Sequence, residues 1–192
     1  MEETNNCRLC PRACGIDRRR STGFCGLGDR VRVARAALHQ WEEPPISGTN
    51  GSGAVFFSGC TLRCCYCQNY QISAEGFGKE ISITELCEIM LRLQEQGAHN
   101  INLVTPTQFA DKIVAALDRI RGGKLHIPVV YNSSGYETEQ TLAMLNGYVD
   151  VYLPDLKYVL PELSARRLPR AGLPDNKETR SYMHGALSSR NI

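Results

Sequence analysis

The sequence predicts an α/β fold with parallel strands, preceded by a small cysteine-rich lobe. Three observations carry this reading. From Ala54 onward, short apolar runs alternate with stretches of helical periodicity, which is the pattern of βα units. Each strand candidate ends in a polar or Gly/Pro-rich segment. Residues 1–30 differ: they are rich in Cys and Gly and show neither a helical nor a strand period.

The elements follow in order. Val31-Arg32-Val33-Ala34-Arg35-Ala36 alternates and reads as a short strand. Residues 42–52 read as loop, because Pro44-Pro45, Ser47-Gly48 and Gly51-Ser52-Gly53 punctuate them. Ala54 to Ser58 is a short buried strand. Thr84 is placed to cap a helix that runs to about Gln96 and stops at Gly97. Leu86, Ile89, Met90 and Leu93 give that helix one apolar face. Asn100 to Val104 is the next strand, and Gln108 to Ile120 the next helix, ended by Gly122-Gly123. Ile127 to Tyr131 is a third strand and Glu137 to Leu145 a third helix, ending near Gly147. Val149 to Leu153 is a fourth strand. After Tyr158 the alternation stops. The chain thus divides into a Cys-rich segment (1–48), a core (49–158) and an irregular tail (159–192). The tail is expected to be poorly ordered and not to pack as further βα units.

In βα folds the chemistry gathers where strands end. Four segments fall there: the loop after Ser58, Thr105-Pro106-Thr107, Asn132-Ser133-Ser134-Gly135 and Pro154-Asp155-Leu156-Lys157. Their grouping predicts a pocket along one rim.

Bulk properties exclude several classes. A net charge of +2 over 192 residues gives no polyanion-binding surface, so no nucleic-acid partner is expected. The cluster Arg18-Arg19-Arg20 reads as a solvated loop. No stretch approaches the ~20 apolar residues of a membrane span. The polar, acidic start Met1-Glu2-Glu3-Thr4-Asn5-Asn6 is unlike a secretory signal, so the expected location is the cytoplasm. In a reducing compartment, nine cysteines read as metal ligands rather than disulfides.

Those cysteines form two sets. Cys60, Cys64 and Cys67 make C-x3-C-x2-C on one loop after the first buried strand. A cubane iron–sulfur cluster normally takes four thiolates. Three leave one iron without a protein ligand, and an open position is where a metal site does chemistry. Cys7, Cys10, Cys14 and Cys25 make C-x2-C-x3-C-x10-C, a closed set of four. Zinc and a second 4Fe-4S cluster fit that set equally on count. Cys65 and Cys87 read as buried small hydrophobes.

The loop Gly59-Cys60-Thr61-Leu62-Arg63-Cys64-Cys65-Tyr66-Cys67-Gln68-Asn69 resembles the cluster motif of the radical S-adenosylmethionine (SAM) enzymes, including the aromatic before the last cysteine. Over about residues 7–158 the chain resembles the branch related to pyruvate formate-lyase activating enzymes. That likeness extends through His39-Gln40-Trp41-Glu42-Glu43-Pro44-Pro45 and Gly97-Ala98-His99-Asn100.

The resemblance implies a partial (βα)6 barrel; the pattern alone does not separate this from an open doubly wound sheet. It implies a 4Fe-4S cluster on Cys60, Cys64 and Cys67, with SAM chelating the open iron. Reductive cleavage of SAM would then give methionine and a 5′-deoxyadenosyl radical that abstracts hydrogen. Tyr66 is expected near the adenine or, on the plainer reading, as a core aromatic. Thr105 and Thr107 stand where many relatives carry Gly-Gly-Glu for the SAM amino group. Ser133 and Ser134 are expected at the ribose or carboxylate, and Asp155 and Lys157 near SAM or paired with each other. His39, Trp41 and Glu42-Glu43 are expected to wall the substrate side, and His99 to be structural. The resemblance further implies a one-electron donor such as flavodoxin or ferredoxin and a protein or small-molecule substrate, including a glycyl radical enzyme. Relatives continue through two more βα units, so this chain reads as shortened after four. The contrasting reading is a metal-binding fragment without catalysis. Methyl transfer is disfavoured, because no glycine-rich Rossmann loop follows the first strand.

Overall fold

The computed structural model describes residues 6–155. Within them a six-stranded sheet has the order β3-β1-β2-β4-β5-β6. The strands are β1 (Val31–His39), β2 (Ser52–Phe57), β3 (Lys79–Ile81), β4 (Ile101–Val104), β5 (Val129–Ser133) and β6 (Val151–Pro154). The helices are α1 (Pro44–Ser47), α2 (Tyr70–Ser73), α3 (Ile83–Glu95), α4 (Ala110–Ile120) and α5 (Glu139–Leu145). A single 3-10 turn, Thr107–Phe109, leads into α4.

The four core strands expected from the sequence are β2, β4, β5 and β6, and they pair in parallel. The sheet is nevertheless mixed, because β1 runs antiparallel to both β2 and β3. The link from β1 to β2 holds only one helical turn, α1, in place of the crossover helix a parallel return needs. That turn lies inside the segment expected to be loop. β1 also runs three residues past the expected end at Ala36. Its register shifts between Val33 and Arg35, and such a bulge resets the alternation on which a sequence reading depends.

In β2, β4 and β5, side chains of one face pack under α3 and α4. Val55, Ile101, Leu103 and Val129 meet Leu86, Met90, Leu93, Ile113 and Leu117 in one buried cluster. On the same face, Tyr131 packs with Ala110, Leu145 and Val149. All three long helices therefore cover one face, and the parallel strands follow chain order. A doubly wound sheet would place helices on both faces and reverse its order, so this arrangement is singly wound. The opposite face carries Ala54, Phe56, Asn102, Val104, Val130 and Asn132, the alternate positions of the same strands.

Helix α3 begins at a capping box. The Glu85 N–H donates to Ser82 Oγ at 3.1 Å, and the Ser82 N–H donates to Glu85 Oε2 at 2.7 Å. The cap is thus Ser82 and not Thr84, whose hydroxyl instead accepts from Arg119. The tail, 159–192, and Lys157 lie outside the described residues.

Candidate metal centre and cofactor rim

The three-cysteine loop leaves the C-terminal end of β2. Gly59 opens it with φ +73°, a conformation that suits glycine. A Cβ there would lie 2.5 Å from Leu27 Cδ1 and 2.7 Å from the Cys25 carbonyl oxygen. Hydrogen-bond donors point at the sulfurs: the Leu62 N–H approaches Cys60 Sγ at 3.4 Å, and the Ser73 hydroxyl approaches Cys67 Sγ at 3.3 Å. Cys60, Cys64 and Cys67 are partly covered, whereas Cys65 is exposed. The motif's register therefore separates ligand candidates from a bystander. Cys65 is not the buried hydrophobe the sequence suggested, although Cys87 is buried and bonds the Ala116 carbonyl. Three half-covered thiols with donors aimed at two of them fit a cluster that needs three protein ligands.

The second set lies against the first. The Phe24 N–H donates to Cys14 Sγ at 3.4 Å. A Cβ on Gly23 would stand 3.6 Å from both Cys14 Sγ and Cys25 Sγ. Cys10 is buried with Leu62 and Tyr136, and Cys60 and Cys64 pack against the same cluster. Burial pushes the Cys10 thiol up to about 12, and the nearby Cys14, Cys7 and Cys25 push it further in the same direction. Burial raises Cys25 as well, partly opposed by the Leu27 backbone and the Arg18 charge. Thiols so raised stay protonated until a cation compensates them, so a metal taken up here would release protons.

Arginines brace the two sets. Arg12 Nε donates to the Thr61 carbonyl at 3.0 Å while its guanidinium lies 3.9 Å from the Phe24 ring centroid. Arg63, at φ +50°, donates to the carbonyls of Phe24 and Ala74 at 3.3 and 3.0 Å. Arg18 is buried and donates to the carbonyls of Gln108 and Gly28. It does not belong to a solvated cluster; Arg19 and Arg20 do, paired with Asp17.

The strand ends expected to form the rim lie beside the loop, tied to it through Gln108. Thr105 has φ +56°, strained backbone for a β-branched residue. Its carbonyl accepts from Gln108 Nε2 at 2.8 Å, and the same nitrogen reaches the carbonyls of Ser58 at 2.9 Å and Gly59 at 3.2 Å. Gln108 therefore ties the end of β4 to the root of the cysteine loop. Thr107 is buried and donates to Glu137 Oε1 at 2.6 Å. Ser133, also buried, lies against the same carboxyl, and its Oγ accepts from the Gly135 N–H at 3.1 Å. Thr107 and Ser133 thus meet at one buried carboxyl. Thr105 and Ser134 are half-buried, and Asp155 is exposed, its N–H bonded to the Ser133 carbonyl at 2.8 Å. Tyr66 is 51% exposed and is not a core aromatic.

Glu137 is fully buried. Burial raises its carboxyl from an ordinary 4.5 to about 7, against the pull of Thr107 and Ser133. Neither Glu137 nor Gln108 was legible as a site residue. Both sit at helix starts, where polar residues are expected, and their partners come from other loops. Arg12 and Arg63 left no signal either.

On the face away from the helices, His39 meets Phe56 edge-on at 6.3 Å. Burial raises the Glu42 carboxyl, partly opposed by His39 and the Asn102 amide. Trp41 is exposed. His99 Nε2 lies 3.2 and 3.1 Å from the Thr49 and Asn50 N–H groups, a structural role at the far end of β4.

Among the described residues no helix is long and apolar enough to cross a membrane. The family profile described as the radical SAM superfamily matches residues 54–180. The uncharacterized protein MJ0674 of Methanocaldococcus jannaschii is 32% identical over 162 residues, covering 80% of this chain and 46% of that protein. The chain thus spans about half the length of the curated relative it matches. With the profile covering more than half of the sequence and the cluster loop at its head, the chain belongs to the radical SAM superfamily.

Proposed function

We propose that this chain carries the cofactor-binding part of a radical SAM enzyme, with Cys60, Cys64 and Cys67 holding a 4Fe-4S cluster and the rim of β4, β5 and β6 holding SAM. The carrying observation is the loop itself: three partly covered thiols, with an N–H and an O–H aimed at two sulfurs, at the C-terminal end of β2. When bound, the cluster and SAM supply one-electron reductive cleavage to methionine and a hydrogen-abstracting 5′-deoxyadenosyl radical.

The residues of the chain bind and orient. Gln108 fixes the distance between the cysteine loop and Thr105. Thr105, Ser134, Asp155 and Lys157 are assigned to the SAM polar groups, with Thr107 and Ser133 holding the rim from behind. Tyr66 is assigned to the adenine. The singly wound sheet, helices on one face, supports reading it as the wall of an incomplete (βα) barrel. The substrate side is then the opposite face, where His39, Glu42 and Asn102 gather.

The finer reading is an activating enzyme that takes electrons from a flavodoxin or ferredoxin and places a glycyl radical on a partner. Its support is the likeness of residues 39–45 and 97–106 to that branch. The four N-terminal cysteines are assigned a second metal group.

The test is anaerobic reconstitution with iron and sulfide, dithionite reduction and addition of SAM. The expected result is a reduced-cluster EPR signal that changes with SAM, 5′-deoxyadenosine formation, and loss of both in Cys64→Ala. A cluster that binds without cleaving SAM would favour the non-catalytic reading. Zinc in the Cys60 loop, with no iron, would overturn the assignment.

A further inference from the structure

We infer that Cys7, Cys10, Cys14 and Cys25 hold a second 4Fe-4S cluster that exchanges electrons with the cluster on the Cys60 loop. The inference rests on the reading above for the first cluster and goes beyond it in the identity and role of the second.

The arrangement of the four thiols argues for a cluster over zinc. One zinc binds thiolates at about 2.3 Å, which draws four sulfurs to within about 4 Å of one another. Among the described residues no three His, Cys, Asp or Glu side chains converge in a way that could hold a single ion. A cubane binds each cysteine through a different iron and holds the sulfurs farther apart. Cys14 Sγ and Cys25 Sγ both lie beside Gly23, each 3.6 Å from where a Cβ would stand, an ordinary contact distance. The Phe24 N–H aimed at Cys14 Sγ is the type of contact that tunes a cluster's potential.

Proximity argues for exchange. Cys10 packs in the same apolar cluster as Cys60 and Cys64. The Cys25 carbonyl sits against Gly59, the residue before Cys60. Arg12, between Cys10 and Cys14 in the chain, bonds the Thr61 carbonyl between Cys60 and Cys64. A structural zinc lobe has no need to share a dry wall with the redox loop. One electron from a reduced donor of the flavodoxin or ferredoxin class reduces the second cluster. Its passage to the loop cluster reoxidises the second and reduces the first, with no bond made or broken.

The test uses the full chain, reconstituted anaerobically. Iron, zinc and acid-labile sulfide are counted, and the dithionite-reduced EPR spectrum is recorded without SAM. About eight irons per chain are expected, two cubanes' worth, with signals broadened by coupling between two neighbouring paramagnetic centres. The triple variant Cys60→Ala, Cys64→Ala, Cys67→Ala should keep about four irons and lose both the broadening and any response to SAM. One tightly held zinc beside about four irons would overturn the inference, as would two reduced signals that simply add. The wild-type count and spectrum decide the matter even where a variant fails to fold. A zinc result leaves SAM cleavage standing; two coupled clusters without SAM cleavage would sink the proposed function and leave this inference intact.

Discussion

Glu137 illustrates how much of this site is held by groups that touch no metal. Its carboxyl accepts the Thr107 hydroxyl and lies against Ser133, so one side chain fixes two rim segments from β4 and β5. Between the ordinary 4.5 and about 7, the unfolded chain has lost this proton while the folded chain keeps it. Stability from this group is therefore full below 4.5, falls as pH rises through that window and is flat above it. Glu137→Gln should remove that slope while its carbonyl still accepts from Thr107; urea unfolding across the window checks it. Glu137→Ala leaves Thr107 without its acceptor and should cost about 1–3 kcal/mol at the low end of the window. Cysteine spacing was readable in the sequence because it names its own chemistry. The burial of Glu137 was not, because only the meeting of β4 and β5 creates it.

At the scale of elements, helical period and turn chemistry located α3, α4 and α5 within a few residues. Helix α3 starts at the Ser82-x-x-Glu85 box and not at Thr84, because the box satisfies two free backbone N–H groups at once. Ser82→Ala should cost about 1 kcal/mol and lower the melting temperature by a few degrees. Iron content should not change, since the Ser82 cap is an exposed contact with Glu85. Metal loss in that variant would show that α3 supports the site more directly than its position indicates. Strand β3 has three residues, Lys-Glu-Ile, too short to show any period. Its pairing with β1 follows from the cysteine loop and α2 bringing the chain back along that edge. Parallel pairing of β2, β4, β5 and β6 was legible because a helix lies between each pair, whereas the direction of β1 depended on a connection with no such helix.

For the molecule as a whole, the metal proposed for the N-terminal cysteines would couple folding to loading. Cys10 and Cys25 are buried, or nearly so, with protonated thiols favoured, and neither gains from ionising without a cation. Removing the metal with a chelator should lower the melting temperature by several degrees, and anaerobic reloading should restore it. An unchanged melt would show that the lobe packs through its arginines and apolar contacts alone. Gly59 has a wider consequence. Because it seats the first cysteine of one set on the backbone of the last cysteine of the other, a shift of either is passed on through a single peptide. Damage by oxygen at one sulfur site would loosen its neighbour, so the air tolerance of the chain would be set by whichever site fails first.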